Sequence, residues 1–156
     1  MIKSNTFNIK NIAVISLIAI FFILDRFLKV LALKTSPEIK ILDDFLQFNL
    51  TKNFNIAFSL PIYGPILNIL IVIIILTLIF YLLYLIKNKY PHTITLSILA
   101  LILGASSNAY DRLFYGYVID YLNFFNFTIL NISDILITGG TIILITINFK
   151  SYGFRN

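Results

Sequence analysis

Residues 62–86 read IYGPILNILIVIIILTLIFYLLYLI, a run of 25 residues without one charged side chain. At a rise of about 1.5 Å per residue such a run outlasts a hydrocarbon layer about 30 Å thick, so it is read as a membrane-crossing helix. Three more stretches meet the same length test, giving four predicted spans at about 12–33, 62–86, 93–114 and 132–149. The predicted fold is therefore an all-α membrane protein of four transmembrane helices in a single domain. The whole chain agrees: of its 156 residues 59% are hydrophobic and 12% charged, more apolar surface than one soluble core of this size can bury.

The connections carry the topology signal. Lys3 and Lys10 precede the first span, Lys87 and Lys89 lie between the second and third, and Lys150 and Arg155 follow the fourth, with no acid in any of these segments. On the other side, residues 34–61 set Lys34, Lys40 and Lys52 against Glu38, Asp43 and Asp44, and residues 115–131 have no Lys or Arg. The positive-inside rule then places both termini in the cytoplasm. Asp25, Arg26 and Lys29 interrupt the first apolar run, which marks a retained helix and not a cleaved leader. Within the outer segment 34–61, Ile39, Ile41, Phe45, Phe48 and Leu50 stand among polar neighbours, and Asn53 and Asn55 supply turn chemistry, so a small extracytoplasmic β-structure is expected there.

Inventory narrows the chemistry. The net charge of +5 comes from basic residues scattered between apolar runs, with no patch suited to nucleic acid. There is no cysteine, and His92 is the only histidine, in a loop on the side opposite the other polar groups. Zinc clusters, thiol nucleophiles, c-type haem attachment and a Ser-His-Asp triad are excluded on that ground. Hydrolysis would have to use carboxylates, or a serine with a lysine.

Threading the predicted topology brings Asp25, Asp111, Asp120 and Asp134 to one level near the outer face. A charged group within a span costs roughly 2.5–3.5 kcal/mol on insertion scales, so such groups are retained where they face protein or water. Asp25 and Lys29 stand one helical turn apart in the favourable acid-before-base order, and a structural ion pair is the preferred reading. Arg26 and Lys34 are expected to snorkel to the interface. Asn108, Asp111 and Arg112 share a helix face behind the small residues Gly104, Ala105, Ser106 and Ser107, which allow a second helix close approach. Taken singly, Asp120 reads as a solvated loop acid and Asp134 as a helix-start residue. Taken together they form a candidate dyad: one carboxylate neutral, able to donate to a carbonyl oxygen, the other ionised, able to take a proton from water. The helix N-terminus favours Asp134 as the ionised partner.

These same residues resemble the bacterial lipoprotein signal peptidases, membrane aspartic peptidases. Asp25-Arg26-Phe27-Leu28-Lys29 is similar to the family's D-x-x-x-K, and Asn53-Phe54-Asn55-Ile56-Ala57-Phe58-Ser59 to N-x-G-x-A-F-S. Gly104 to Arg112 is similar to G-A-x-x-N-x-x-D-R, Gly116 to Tyr121 to G-x-V-x-D-F/Y, and Asn131-Ile132-Ser133-Asp134 to the end of F-N-x-A-D. The resemblance implies Asp120 and Asp134 as the catalytic pair, with Asn53, Asn108, Asp111, Arg112 and Asn131 lining or bracing the site and Asp25 and Lys29 supporting it. It further implies cleavage before a diacylglyceryl-modified cysteine in a lipid-modified prolipoprotein, no metal or organic cofactor, contact with membrane lipid, a monomer, and a place in the bacterial inner membrane with the site near its outer face. Departures stand at Asn55, Leu103 and Ser107 for glycines, Leu130 for phenylalanine and Ser133 for alanine. Tyr121, Phe124, Phe125 and Phe127 would cover the peptide or rest among lipid headgroups. The rival readings are a proton- or ion-coupled transport component, a noncatalytic lipid-binding subunit, and a peptidase pairing Ser59 or Ser106 with Lys29 or Lys52.

Overall fold

The computed structural model describes residues 8–34, 38–43, 45–54, 64–125 and 127–153. Lys3, Asp44, Asn55 to Ser59, the first two residues of the second predicted span and Arg155 lie outside them. Four helices, α1 (Ile9–Lys34), α2 (Pro65–Lys87), α3 (His92–Tyr115) and α4 (Ile132–Gly153), follow the four apolar runs closely. Helix α2 starts three residues later than the run's first apolar residue. Gly64 takes φ 85°, a left-handed conformation open to glycine, and Pro65 then supplies the fixed φ of a first helical position. Helices α2, α3 and α4 are each long and apolar enough to cross a membrane. Along α2 most side chains, Ile66, Ile69, Ile73 and Phe80 among them, are exposed, as those of an apolar helix must be when its solvent is lipid.

Four strands, β1 (Ile39–Leu42), β2 (Leu46–Asn53), β3 (Val118–Phe124) and β4 (Thr128–Leu130), form one antiparallel sheet in sequence order. The sequence led to the expectation of β-structure in the first half only. Residues 115–131 read as a connection because β3 is buried on both faces from Val118 to Tyr121 and so shows no alternation of apolar and polar residues. One face of the sheet packs on the last turns of α1, where Ala32, Phe48, Ile119 and Tyr121 form a buried cluster.

The register between β2 and β3 contains a bulge that decides which side chains meet. Phe48 pairs with Leu122, but Thr51 pairs with Asp120, so β2 spends one more residue than β3 between the two pairs. In a regular ladder Leu50 would stand opposite Asp120, and Lys52 would share its face. The extra residue flips the alternation, so that Thr51 and Asn53 share the face of Asp120 instead.

Helices α3 and α4 touch through glycine. A Cβ on Gly104 would lie 2.6 Å from the Ser133 carbonyl oxygen, and one on Gly140 would lie 2.8 Å from that of Ser97. Gly104→Ala is expected to push the start of α4 away from α3 and to destabilise the protein by about 1–3 kcal/mol, read as a lower thermal midpoint in detergent. A midpoint unchanged from the parent would show that the two helices are not held at this spacing.

Candidate active site

The start of α4 is where the polar residues gather, because a buried helix N-terminus must find acceptors for its free N–H groups. Each has one. Asn131 caps the helix, its Oδ1 accepting the Asp134 N–H at 2.9 Å, while Asp134 Oδ2 accepts the Asn131 N–H at 3.1 Å, a reciprocal capping box. The Ile132 N–H donates to the Tyr121 hydroxyl at 3.2 Å and the Ser133 N–H to Asp25 Oδ1 at 3.2 Å.

Asn131 also joins the two candidate catalytic acids. Its Nδ2 donates to Asp120 Oδ1 at 2.6 Å while its backbone N–H holds Asp134, so one residue contacts both carboxylates. Two further amides complete the frame. Asn53, turned inward by the bulge, donates to Asp120 Oδ2 at 2.9 Å, and Asn108 donates from α3 to Asp134 Oδ1 at 2.9 Å. The Asn108 amide is oriented by its other end, since Oδ1 accepts from Lys29 Nζ at 2.7 Å and from Asn131 at 3.2 Å. Asp120 is almost wholly buried, and Asp134 is partly buried. Burial raises the Asp120 carboxyl to about 6 from its ordinary 3.8, the bonds from Asn53 and Asn131 oppose the rise, and the nearby Asp134 adds to it.

Behind the pair lies a charged layer. Arg26 Nη1 meets Asp111 Oδ1 at 2.6 Å, and Lys29 Nζ lies 2.8 Å from Asp111 Oδ2 and 3.2 Å from Asp25 Oδ2. Two cations thus answer two anions, and Asp25, Lys29 and Asp111 are fully buried. Asp111 also accepts the Ile119 N–H at 3.2 Å, tying β3 to α3 one residue before Asp120. The expected Asp25–Lys29 pair is present, but Lys29 serves two acids and an amide. Arg26 was expected to snorkel; it turns inward, its guanidinium stacked over the Tyr110 ring at 4.4 Å, because Asp111 and Ser107 on α3 offer it partners. Arg112 lies within electrostatic reach of Asp120, Asp134 and Asp111.

Three contributors escaped the sequence reading. Tyr121, expected as a cover or a headgroup ring, is fully buried, and its hydroxyl donates to Asp25 Oδ1 at 3.0 Å. Burial and the Asp25 charge push its phenol up, so it stays a neutral donor. Ser107 and Ser133 donate to Asp25 Oδ2 at 2.6 and 2.7 Å. The i, i+4 spacing of Ser107 and Asp111 was the available clue for the first; nothing local pointed to the second. Phe125 and Phe127 are exposed at the far end of the sheet. Ser106 lines a groove against α2 with Val72, Ile75 and Leu76, whereas Lys29 donates to Ser107 and Asn108, so Ser106 and Lys29 are not joined as a nucleophile and base. Ser59 lies outside the described residues.

Below Asp134 an apolar groove of about 430 Å³ runs between α1, α3 and α4, lined by Leu17, Phe21, Leu96, Ile135 and Gly139 among others, with Lys10 at its far end.

Comparison with known proteins bears on this arrangement. The profile of a family described as Signal peptidase (SPase) II matches residues 17–150. Relatives described as lipoprotein signal peptidases occur in Clostridium tetani, 32% identical over 91% of this chain and 96% of that protein, and in Clostridium novyi, 36% identical over 82% and 92%. A solved bacterial membrane enzyme shares the fold with a TM-score of 0.78 at 21% identity, covering 100% of this chain and 97% of its own.

Proposed function

The chain belongs to the signal peptidase II family, and from that premise we propose that it is a two-aspartate endopeptidase that cuts a diacylglyceryl-modified prolipoprotein just before the lipidated cysteine. The family's work is the removal of signal peptides from prolipoproteins, and the chain is a membrane protease of that kind. The observation that carries the finer reading is Asn131, whose side chain and backbone N–H each hold one of the two carboxylates.

In this reading Asp134, accepting two N–H groups at a helix N-terminus, is the ionised partner, and Asp120 holds the proton. Asp134 takes a proton from water as the water oxygen attacks the scissile carbonyl carbon, and Asp120 gives its proton to the carbonyl oxygen. When the tetrahedral species collapses, the proton on Asp134 passes to the leaving amine and Asp120 recovers its own. The net charge is favourable as well: Arg26 and Lys29 balance Asp25 and Asp111, leaving Arg112 to balance the single charge of the pair. Helix α1 is assigned as the fourth membrane span, with both termini cytoplasmic and the sheet on the outer side, where a lipidated cysteine would sit at the headgroup level. The groove beneath Asp134 offers an apolar wall for the substrate's hydrophobic segment. No partner subunit and no cofactor are required by this scheme.

The test is cleavage of a synthetic lipidated prolipoprotein by the purified chain in lipid, with products read by mass spectrometry. A released peptide ending at the residue before the modified cysteine is expected, and an intact substrate, or an equal rate on the unlipidated peptide, would sink the reading. A pH profile adds a sharper expectation. Asp120 must be neutral to donate, so kcat/KM should fall as pH rises through about 6. Asn53→Ala removes a bond that favours the ionised form, so this falling limb should move to higher pH, by about one unit. Activity that instead rises as pH passes about 6 would mean that Asp120 works as the base.

A further inference from the structure

Asp25 is held by more donors than burial of one carboxylate requires. Oδ1 accepts the Tyr121 hydroxyl and the Ser133 N–H, and Oδ2 accepts the hydroxyls of Ser107 and Ser133 as well as Lys29 Nζ. Lys29, Tyr121 and the Ser133 amide would satisfy both oxygens by themselves. The two serine hydroxyls are additions, and both stand at positions where the resembled pattern has a residue without a hydroxyl.

Their placement bears on Asp134. Ser133 grips Asp25 at two points, N–H to Oδ1 at 3.2 Å and O–H to Oδ2 at 2.7 Å, which fixes the orientation of the first turn of α4 as one bond could not. Its carbonyl oxygen is pressed against Gly104 from the other side. Ser107 gives its proton to Asp25 at 2.6 Å and accepts from Arg26 Nη1 at 3.2 Å and Lys29 Nζ at 3.3 Å, so its one proton and two lone pairs are all used. That couples the two ion pairs and steadies Lys29, which sets the Asn108 amide so that its NH₂ faces Asp134. Both serines and Asp25 are buried from solvent, where such bonds are strong and their geometry is fixed by packing.

We infer that Ser133 and Ser107 are positioning residues for the reaction, their hydroxyls converging on Asp25 Oδ2 to hold the Asp134 carboxylate in the orientation from which it meets water and Asn108. The inference rests on the reading of Asp134 as a catalytic carboxylate. Neither hydroxyl touches Asp134; each acts through Asp25, by way of the α4 backbone or of Lys29 and Asn108.

The experiment uses the full chain in lipid with the lipidated prolipoprotein as substrate, comparing the parent, Ser133→Ala, Ser107→Ala, Asp25→Asn and the pair Asp25→Asn with Ser133→Ala. Ser133→Ala should lower kcat about tenfold with KM within about twofold, since a small misplacement of the reacting group is felt in turnover and not in binding. In the Asp25→Asn background the same change should cost less than about twofold, because the grip it removes is already broken. A Ser133→Ala variant with parental kcat would overturn the proposal, whether or not its thermal midpoint falls. So would a tenfold loss that persists unchanged in the Asp25→Asn background. A parent chain that does not cleave would overturn the functional reading and this proposal together, whereas a cleaving parent with an indifferent Ser133→Ala variant would overturn this proposal alone.

Discussion

Asp120→Asn and Asp134→Asn should each reduce cleavage by several orders of magnitude while leaving a folded protein. Two-carboxylate hydrolysis divides its labour, and an amide can neither accept the proton of water nor donate one with the acidity that a carboxylic acid has. Loss of one member of a cooperating pair commonly costs most of what the pair supplies, so the double variant should be little slower than either single one. Stability should move the other way for Asp120. Its folded-state value of about 6 lies above the ordinary 3.8, so the protonated form favours folding, and that contribution is complete below 3.8 and lost as pH rises through 6. Asparagine resembles the protonated acid, and Asp120→Asn should therefore melt at or above the parental midpoint near pH 8. Either variant retaining a tenth of parental kcat would exclude the two-aspartate reaction.

Lys29→Met is expected to have the largest effect on stability. The ammonium lies 2.8 Å from Asp111 and 3.2 Å from Asp25, with all three groups sealed from solvent. Methionine fills much of the same volume and leaves a buried pair of acids facing one remaining cation, Arg26. Removing one partner from a buried ion pair costs about 3–5 kcal/mol, because the stranded charge keeps its desolvation penalty without its compensation. A fall of this size should appear as a much lower thermal midpoint or as loss of folded protein on extraction. The partner substitution Asp25→Asn in the Lys29→Met background should recover part of it, since Asp25 is the acid that loses its ion-pair partner while Asp111 keeps Arg26. A Lys29→Met protein as stable as its parent would show the charged layer to be dispensable.

The helices were legible because lipid imposes a length and a composition that no other environment demands; the runs of α2, α3 and α4 met both, and that of α1 met the length. The sheet was half legible. The β1–β2 hairpin alternates, whereas β3 is buried on both faces and so looked like an aromatic connection. The gathering of Asp25, Asp111, Asp120 and Asp134 at one level followed from topology alone. What joins them did not, because it depends on contacts across the chain: the Asn53 amide reaches Asp120 only through the bulge, and the Ser133 hydroxyl finds Asp25 across 108 residues of sequence. Arg26 shows the limit of a local rule, since snorkelling presumes that no partner waits inside, and Asp111 does. Asn131 entered the sequence reading only as a residue bracing the site, and its cap went unread. An Asn three residues before an Asp at an apolar run is a capping signature, and here the cap and the proposed catalytic frame are one set of bonds.

The bulge in β2 makes the hairpin a counting device. Deleting one residue between Phe48 and Thr51 would restore a regular ladder with Thr51 still opposite Asp120 and Asn53 still on its face, whereas a regular ladder that kept every residue would swing Asn53 to the back of the sheet and present the Lys52 ammonium to Asp120. In that second register a neutral amide steadying an acid would give way to a cation that strips the acid of its proton. A single deletion at the bulge therefore preserves this chemistry, and a one-residue slip of the pairing beyond it inverts it.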